Sequence, residues 1–434
     1  MTPSPEWNEL LKPLRPYFTQ PGFCLFTAFV LVCAQLDRRL LVTHVAFSGL
    51  VERHFTCFYR FLREGSWSAQ NVGQRLASMV VEKCFKKPDD KKVGPTRVFA
   101  AIDDTVAAKY GKHFDDLGIH HDPMNRDNPK RLSRGHCFVC LALIAEQAKD
   151  HFVAMFVRAA MYVQKKSCCG SQVFATKLEL AVSLMHQVQT PAYTLLIAVA
   201  DGAYAKNTFV QGVIGSGRHV ISRLRTDTVF YDYPQPPQAK KPGRPRKYGD
   251  KHKAKVWAAQ ADGWSQTTIV LYGKAAKVKI KSRLALHRRL GGISIRIVAV
   301  CWQSKQDVCE DPVFLFSTDT TLTAEEIVRV YGSRFCIETG FRDSKQSFGL
   351  STYQVRRRVS IDRLIHLCLW SQTLLRLRYW QVKPLPIYGD WRKPLSYLTL
   401  SQQKQLAKLK DGNLDTSVPI EPSVKNSTQM AIAT

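Results

Sequence analysis

Acidic residues are scarce in this chain. Only 35 Asp and Glu stand against 63 Lys and Arg in 434 residues, a formal net charge of +28 with a pI near 9.7. A positive field of that size favours nucleic acid or an anionic membrane surface as partner. Long apolar runs are missing too. The most apolar stretch, Gly22–Gln35, is shorter than the ~20 residues a bilayer span needs and reads as a core helix. The N-terminus, MTPSPEWNELLKPLRPY, lacks a signal-peptide arrangement, so the expected location is cytoplasmic. Metal-binding cysteine patterns are also lacking. The chain has 12 cysteines, but its one C-x-x-C is Cys137–Cys140, inside a strand pattern, and Cys168–Cys169 lies far away. No second C-x-x-C and no H-x3–5-H partner accompanies it, so buried free thiols are expected rather than zinc or disulfides.

Against those absences, one segment concentrates chemistry. YGSRFCIETGFRDSK carries Tyr331, Arg334, Glu338 and Lys345 in the spacing Y-x2-R-x3-E-x6-K. At roughly 100° per helical residue the four fall within an arc of about 60°. Thr323 and Glu326 form a capping-box pattern ahead of the run, and Ile327, Val330 and Phe341 supply a buried side. A carboxylate flanked by two cations is poorly placed to be a general base. It is well placed to hold a divalent metal while its neighbours hold a polyanion. Taken alone, the pattern also describes a surface helix with an ordinary Arg334–Glu338 pair worth a few tenths of a kcal/mol.

Two upstream carboxylates shift the balance. VFAAIDDT reads as a strand ending in Asp103 and Asp104, and LLIAVADG as a strand ending in Asp201. Rigid strand ends that present carboxylates suit a two-metal phosphoryl-transfer site, whose metals lie about 3.5–4 Å apart. Hard oxygen ligands favour Mg²⁺, with Mn²⁺ as a substitute. Each Asp taken singly also suits a turn or helix cap. Strand alternation sends Asp103 and Asp104 to opposite faces.

Asp104 in DDT, Asp201 in ADGAY and the Tyr331–Arg334–Glu338–Lys345 spacing together resemble the DDE transposases of bacterial insertion sequences, in the branch that carries this tyrosine–arginine–glutamate–lysine signature. The resemblance runs from Arg97 to Arg376, about two-thirds of the chain. It implies an α/β fold: an RNase H-like mixed sheet core, an N-terminal helical domain, and a β-rich insertion before the last catalytic helix. It implies Asp104, Asp201 and Glu338 as ligands of two Mg²⁺, with Asp104 chosen over Asp103 because it stands immediately before the Thr. Arg334 and Lys345 would clamp phosphates and Tyr331 would contact the same strand. The implied partner is double-stranded DNA, both transposon ends and target, bound by a homodimer on paired ends in a nucleoid-associated setting. An RNase H-like nuclease without strand transfer and an inactive domesticated DNA-binding protein are the alternatives. In relatives that form hairpin ends, an aromatic of the insert holds a flipped base. Trp257, Trp264 and Trp302 are candidates here, but Val313, not an aromatic, precedes FLFSTD.

The expected division is residues 1–95, a helical end-binding domain; 96–228 with 305–385, the core; 229–304, a basic linker and β-rich insertion; and 386–434, ending in a disordered tail beyond Asp411. KKPDDKKVGPTR is the expected linker between the first two. Arg53, Arg60 and Arg63 are interleaved with aromatics and suit either a DNA-binding face or a solvated one. The polar segment GKHFDDLGIHHDPMNRDNPKRLSRG is expected to be a loop approaching DNA, with Lys130, Arg131 and Arg134 at its end. Arg223 and Arg225, on one strand face, are candidate phosphate contacts. Arg244 and Arg246 lie in a proline-rich basic stretch that resembles an AT-hook or a non-specific phosphate-binding loop. QVRRRVSIDRLIHLCLWSQTLLRLRYW reads as a basic amphipathic helix extending the DNA surface through Arg356, Arg357 and Arg358. An exposed Arg334–Glu338 pair would add only about 0–1 kcal/mol, so Arg334→Ala and Lys345→Ala are expected to spare stability.

Overall fold

The computed structural model describes residues 3–36, 42–87, 94–123, 125–168, 173–235, 244–271, 274–302, 311–382 and 396–411. The tail expected to be disordered, half of the linker ahead of the core, and Gly243 of the AT-hook-like stretch lie outside these residues.

The N-terminal segment is helical, as its pattern predicts. It comprises α1 (Pro5–Leu11), a 3₁₀ turn (Lys12–Tyr17), α2 (Gln20–Gln35), α3 (Val42–Ala46), α4 (Thr56–Arg63) and α5 (Ala69–Cys84). Helix α2 starts at Thr19, whose hydroxyl accepts from the Gly22 N–H, and is buried at every residue from Leu25 to Gln35. A helix that is apolar all round belongs in a core. The strands and helices that follow are β1 (Thr96–Ala108), β2 (Gly118–His121), β3 (Leu132–Ala148), β4 (His151–Tyr162), α6 (Lys177–Gln187), β5 (Thr194–Ala200), α7 (Asn207–Ile214) and β6 (His219–Leu224). Part of the segment expected to be a loop therefore forms β2, which pairs with β3.

The order β4–β3–β1–β5–β6 is antiparallel from β4 to β1 and parallel from β1 to β6. This mixed arrangement is consistent with an RNase H-like core. The insertion contributes β7 (Val229–Tyr231), β8 (Lys251–Lys253), α8 (Ala254–Ala259), β9 (Ser265–Leu271), β10 (Lys274–His287) and β11 (Ile293–Trp302), before β12 (Val313–Ser317) rejoins the core. These strands do not form a separate sheet. β12 pairs with β6 and β11, and β11 with β10, so the core sheet continues through the insertion. The physical reason is that β6 would otherwise leave an open edge of unpaired backbone groups.

Helices α9 (Ala324–Ser333), α10 (Cys336–Ser347), α11 (Arg358–Arg378) and α12 (Leu400–Asp411) close the chain. Helix α11 corrects the reading of a basic amphipathic DNA-facing helix. It is buried almost continuously from Ser360 to Leu377 and packs against β4, α2, α4 and α5. Arginines along its buried length find partners: Arg363 donates to the carbonyls of Leu62, Gly65 and Trp67, and Arg376 pairs with Asp343 at 3.2 Å, while Arg356 and Arg357 just ahead of the helix are exposed. The N-terminal helices and the sheet thus share one hydrophobic core. Among the described residues, no helix is long and apolar enough to cross a membrane. Nine described cysteines are free, whereas Cys301 at the end of β11 is disulfide-bonded, against the expectation of thiols throughout.

Several histidines are held neutral by the fold. Burial pushes His151 down to about 4, helped by Arg376, and pushes His287 down to about 4 as well. Both lie below the unfolded value near 6.5, so their contribution to stability is complete above about pH 6.5 and is lost as pH falls toward about 4. The melting temperature is expected to fall through that window. His151 stacks on Tyr397 with ring centroids 3.5 Å apart, so His151→Phe keeps the stack while removing the proton site. Melting curves from pH 7 to 4.5 should show a shallower acid slope for the variant; an unchanged slope would remove His151 from this account.

Candidate active site

Strand β1 pairs in parallel with β5, and its last registered pair is Ile102 with Ala200. One residue further along each chain stand Asp103 and Asp201, so the first acid after each apolar run reaches the same end of the sheet. Asp201 is fixed by its turn: its Oδ1 accepts from the Ala203 N–H at 2.9 Å, and its carbonyl accepts from Ser222 Oγ at 2.8 Å.

The signature segment does not form one helix. Helix α9 ends at Ser333 and α10 begins at Cys336. Between them the backbone N–H groups of Arg334, Phe335, Ile337 and Glu338 donate to carbonyls three residues earlier, a 3₁₀ turn. Tyr331 therefore lies on α9, Arg334 in the break, and Glu338 and Lys345 on α10. The expected capping box at Thr323 and Glu326 does form, and Ile327, Val330 and Phe341 are buried. Glu338 sits in the first turn of α10, where the helix dipole favours a carboxylate. Gly340 lets α10 sit close on the sheet: a Cβ there would stand 2.7 Å from the Phe156 ring. At its other end Lys404 of α12 donates to the carbonyl of Ser347 at 2.9 Å.

Arg334 is the centre of the cluster. Its guanidinium donates to Asp103 Oδ2 at 2.9 Å and to Glu338 Oε1 at 2.8 Å, with the Tyr331 ring 5.9 Å away. Burial pushes the Asp103 carboxyl up to about 7; Arg334 opposes the rise, while Asp201 and Asp104 add to it. Lys345 stands seven residues after Glu338 on α10; burial lowers its ammonium, opposed by Asp122 and then by Cys140 and Cys137.

Asp103 and Asp104 face opposite ways, as alternation requires. The carboxylate on the side of Arg334 and Glu338 is Asp103. Asp104 instead pairs with Lys177 of α6 at 2.6 Å. The signal that could have found Asp103 is the parallel alignment of AAID with AVAD, in which the first acid of each run matches. Lys177 and Tyr204, both in contact with Asp104, had no signal in the sequence.

The other expected contacts are dispersed. Arg134 is exposed on β3 and Arg223 on β6; Arg225 lies beyond β6 and pairs with Asp227 at 3.1 Å. Arg244 and Arg246 are exposed in coil. Trp257 is buried against Phe230 and Lys281. Trp264 lines a cavity of about 550 Å³ with Lys255 and Lys279, and Trp302 is 46% exposed. Cys137 and Cys140 cannot chelate together, because residues three apart on a strand face opposite sides.

Asp103, Asp201 and Glu338 offer hard oxygen donors, and the crowding of carboxylates around Asp103 is a charge imbalance that a divalent cation would relieve. The donor chemistry therefore fits Mg²⁺. In this arrangement Arg334 supplies the positive charge, and among the described residues no three His, Cys, Asp or Glu side chains stand ready around a common point.

The model for DDE superfamily endonucleases matches residues 38–284, more than half of the chain. No curated protein matches it.

The Arg334–Glu338 pair is not the exposed bridge expected, so Arg334→Ala is expected to cost stability. The Arg334 side chain is only 14% exposed, so its loss strands a part-buried Asp103. A cost on the order of 3 kcal/mol is expected, read as a fall of several degrees in the melting temperature. Melting within about a degree of the parent would place the pair among weak surface bridges.

Proposed function

The chain belongs to the DDE superfamily of endonucleases, and from that membership we propose that it is a DNA transposase that cuts element ends and joins the freed 3′-OH to target DNA. Two observations support the reading: Arg334 bridges Asp103 and Glu338, and Asp201 follows Ala200, the β5 partner of Ile102, where the β1–β5 pairing stops. Asp103, Asp201 and Glu338 would hold two Mg²⁺. When bound, the ions supply Lewis acidity at the attacked phosphate and a competent nucleophile at neutral pH.

The protein's own groups do the rest. Asp103 lies within β1 and Asp201 directly after β5, where the pairing of the two core strands stops, so both are held by rigid backbone. Arg334 is a planar donor fork suited to phosphate oxygens. Released from its bridge, it would clamp the strand beside the cut, with Lys345 adding charge from α10 and Tyr331 packing near it. Water would attack phosphorus in line and expel the element's 3′-oxygen, which takes a proton; that 3′-OH would then attack a target phosphate in line and expel the target strand's 3′-oxygen. Two copies on paired ends would bring both cuts to one target. The net charge of +28 supports DNA as the substrate.

In Mg²⁺, cleavage of DNA carrying the element's ends should be abolished by Asp103→Asn, Asp201→Asn or Glu338→Gln with melting behaviour retained. If Asp103→Asn still cuts, Asp103 is not a ligand and the reading of this site fails. A pre-cut end should then be joined to target DNA by the parent; cutting without joining would favour the nuclease alternative. DNA binding should weaken by orders of magnitude between about 50 and 200 mM salt, because many phosphate contacts release counterions. A nearly flat titration would argue against a binding surface built on this charge.

A further inference from the structure

Behind Asp103, on the opposite face of β1, a second polar cluster has no part in the chemistry just described. Its centre is Asp104. Oδ2 accepts from Lys177 Nζ at 2.6 Å and from Cys137 Sγ at 3.4 Å. Oδ1 accepts from Tyr204 Oη at 3.4 Å. One carboxylate thus gathers donors from three elements: β3, the first residue of α6, and the turn after β5. The position of Lys177 is informative. It occupies the N-terminal end of α6, where the helix dipole disfavours a cation. That placement makes sense only if a specific anion offsets it.

Tyr204 links the cluster to the site on the other face. It is 2% exposed, stands three residues after Asp201, and its N–H donates to the Asp201 carbonyl at 3.1 Å. Its ring packs edge-on against Phe209 of α7. The phenol therefore ties the turn that carries Asp201 to the residue next to Asp103. A carboxylate already committed to Lys177, Tyr204 and Cys137 has few lone pairs left for anything else.

We infer that Asp104 is a positioning residue, which with Lys177 and Tyr204 sets the spacing between Asp103 and Asp201. The inference rests on the reading of Asp103 and Asp201 as ligands of a divalent cation. Charge-assisted hydrogen bonds to one carboxylate lock three elements together. Loss of any one lets the Asp201 turn drift relative to β1, which loosens the cation site without removing a ligand. Supporting contacts of this kind typically contribute about 10–100-fold to metal affinity.

Mn²⁺ binding, read by electron paramagnetic resonance on the DNA-free protein, tests this independently of cleavage. The variants are Asp104→Asn, Lys177→Met, Tyr204→Phe and the Asp104→Asn/Tyr204→Phe pair, with Asp103→Asn as comparison. Tyr204→Phe removes one hydroxyl and keeps the buried ring, so it carries the test if Asp104→Asn does not fold. Expected are Mn²⁺ affinities about 10-fold weaker for each single variant, little further loss in the double variant, and cleavage that recovers at raised Mg²⁺. Asp103→Asn should not recover at any Mg²⁺ concentration. The inference is overturned if Tyr204→Phe and Lys177→Met bind Mn²⁺ as the parent does. It is equally overturned if Asp104→Asn stays inactive at every Mg²⁺ and Mn²⁺ concentration while the other two are unaffected, since Asp104 would then be a ligand itself. A parent that binds Mn²⁺ but cuts no DNA would count against the transposase reading and leave the affinity comparison decisive for the positioning role.

Discussion

The parallel register of β1 on β5 is the constraint on which the site depends. Its pairs run from Thr96 with Thr194 to Ile102 with Ala200, through side chains that are largely apolar and buried. A slip of one residue would turn the apolar set of β1 to the wrong faces. The same register that buries Val98, Ala100 and Ile102 therefore brings Asp103 level with Asp201. It also forces Asp104 behind the sheet, where Lys177 and Tyr204 meet it. The two polar clusters are the front and back of β1 at the point where its pairing with β5 stops.

Placing carboxylates at the end of a buried strand pair raises an electrostatic problem, and the break between α9 and α10 answers it. A continuous helix would keep Arg334 on the stripe beside Glu338. The 3₁₀ turn sets its guanidinium where it spans Glu338 and Asp103 at once. Arg334 thereby takes a part in folding that a surface arginine would not have. In the proposed function the same residue would clamp phosphate once cations and DNA supply the balancing charges. Stability and chemistry thus draw on one side chain.

Helix α11 is the mechanical support of this arrangement. It lies against β4 and the N-terminal helices, and its polar groups satisfy backbone carbonyls there. Trp370 Nε1 donates to the Val157 carbonyl at 2.9 Å, and Thr373 to that of Phe156. Phe156 in turn meets Phe341 of α10. The helix bearing Glu338 is held between the sheet and α11, so the position of the glutamate is set by core packing rather than by a loop.

The sequence by itself determined most element types, β2 and the break between α9 and α10 excepted, and the residues that carry charge at the site. The capping box of Thr323, the apolar runs into Asp103 and Asp201, the all-apolar α2 and the spacing of Arg334, Glu338 and Lys345 are local patterns, written in near neighbours along the chain. Tertiary structure alone decided three things. It chose Asp103 over Asp104 for the face of Arg334, because the choice depends on the register with a strand nearly a hundred residues away. It broke the signature helix and buried Arg334, because the carboxylate that draws the guanidinium in comes from β1. It turned α11 from an expected basic surface into a core helix, because arginine stems can be buried wherever backbone carbonyls of other elements receive the guanidinium. In each case the deciding partner is distant in sequence, and no periodicity within the segment records it.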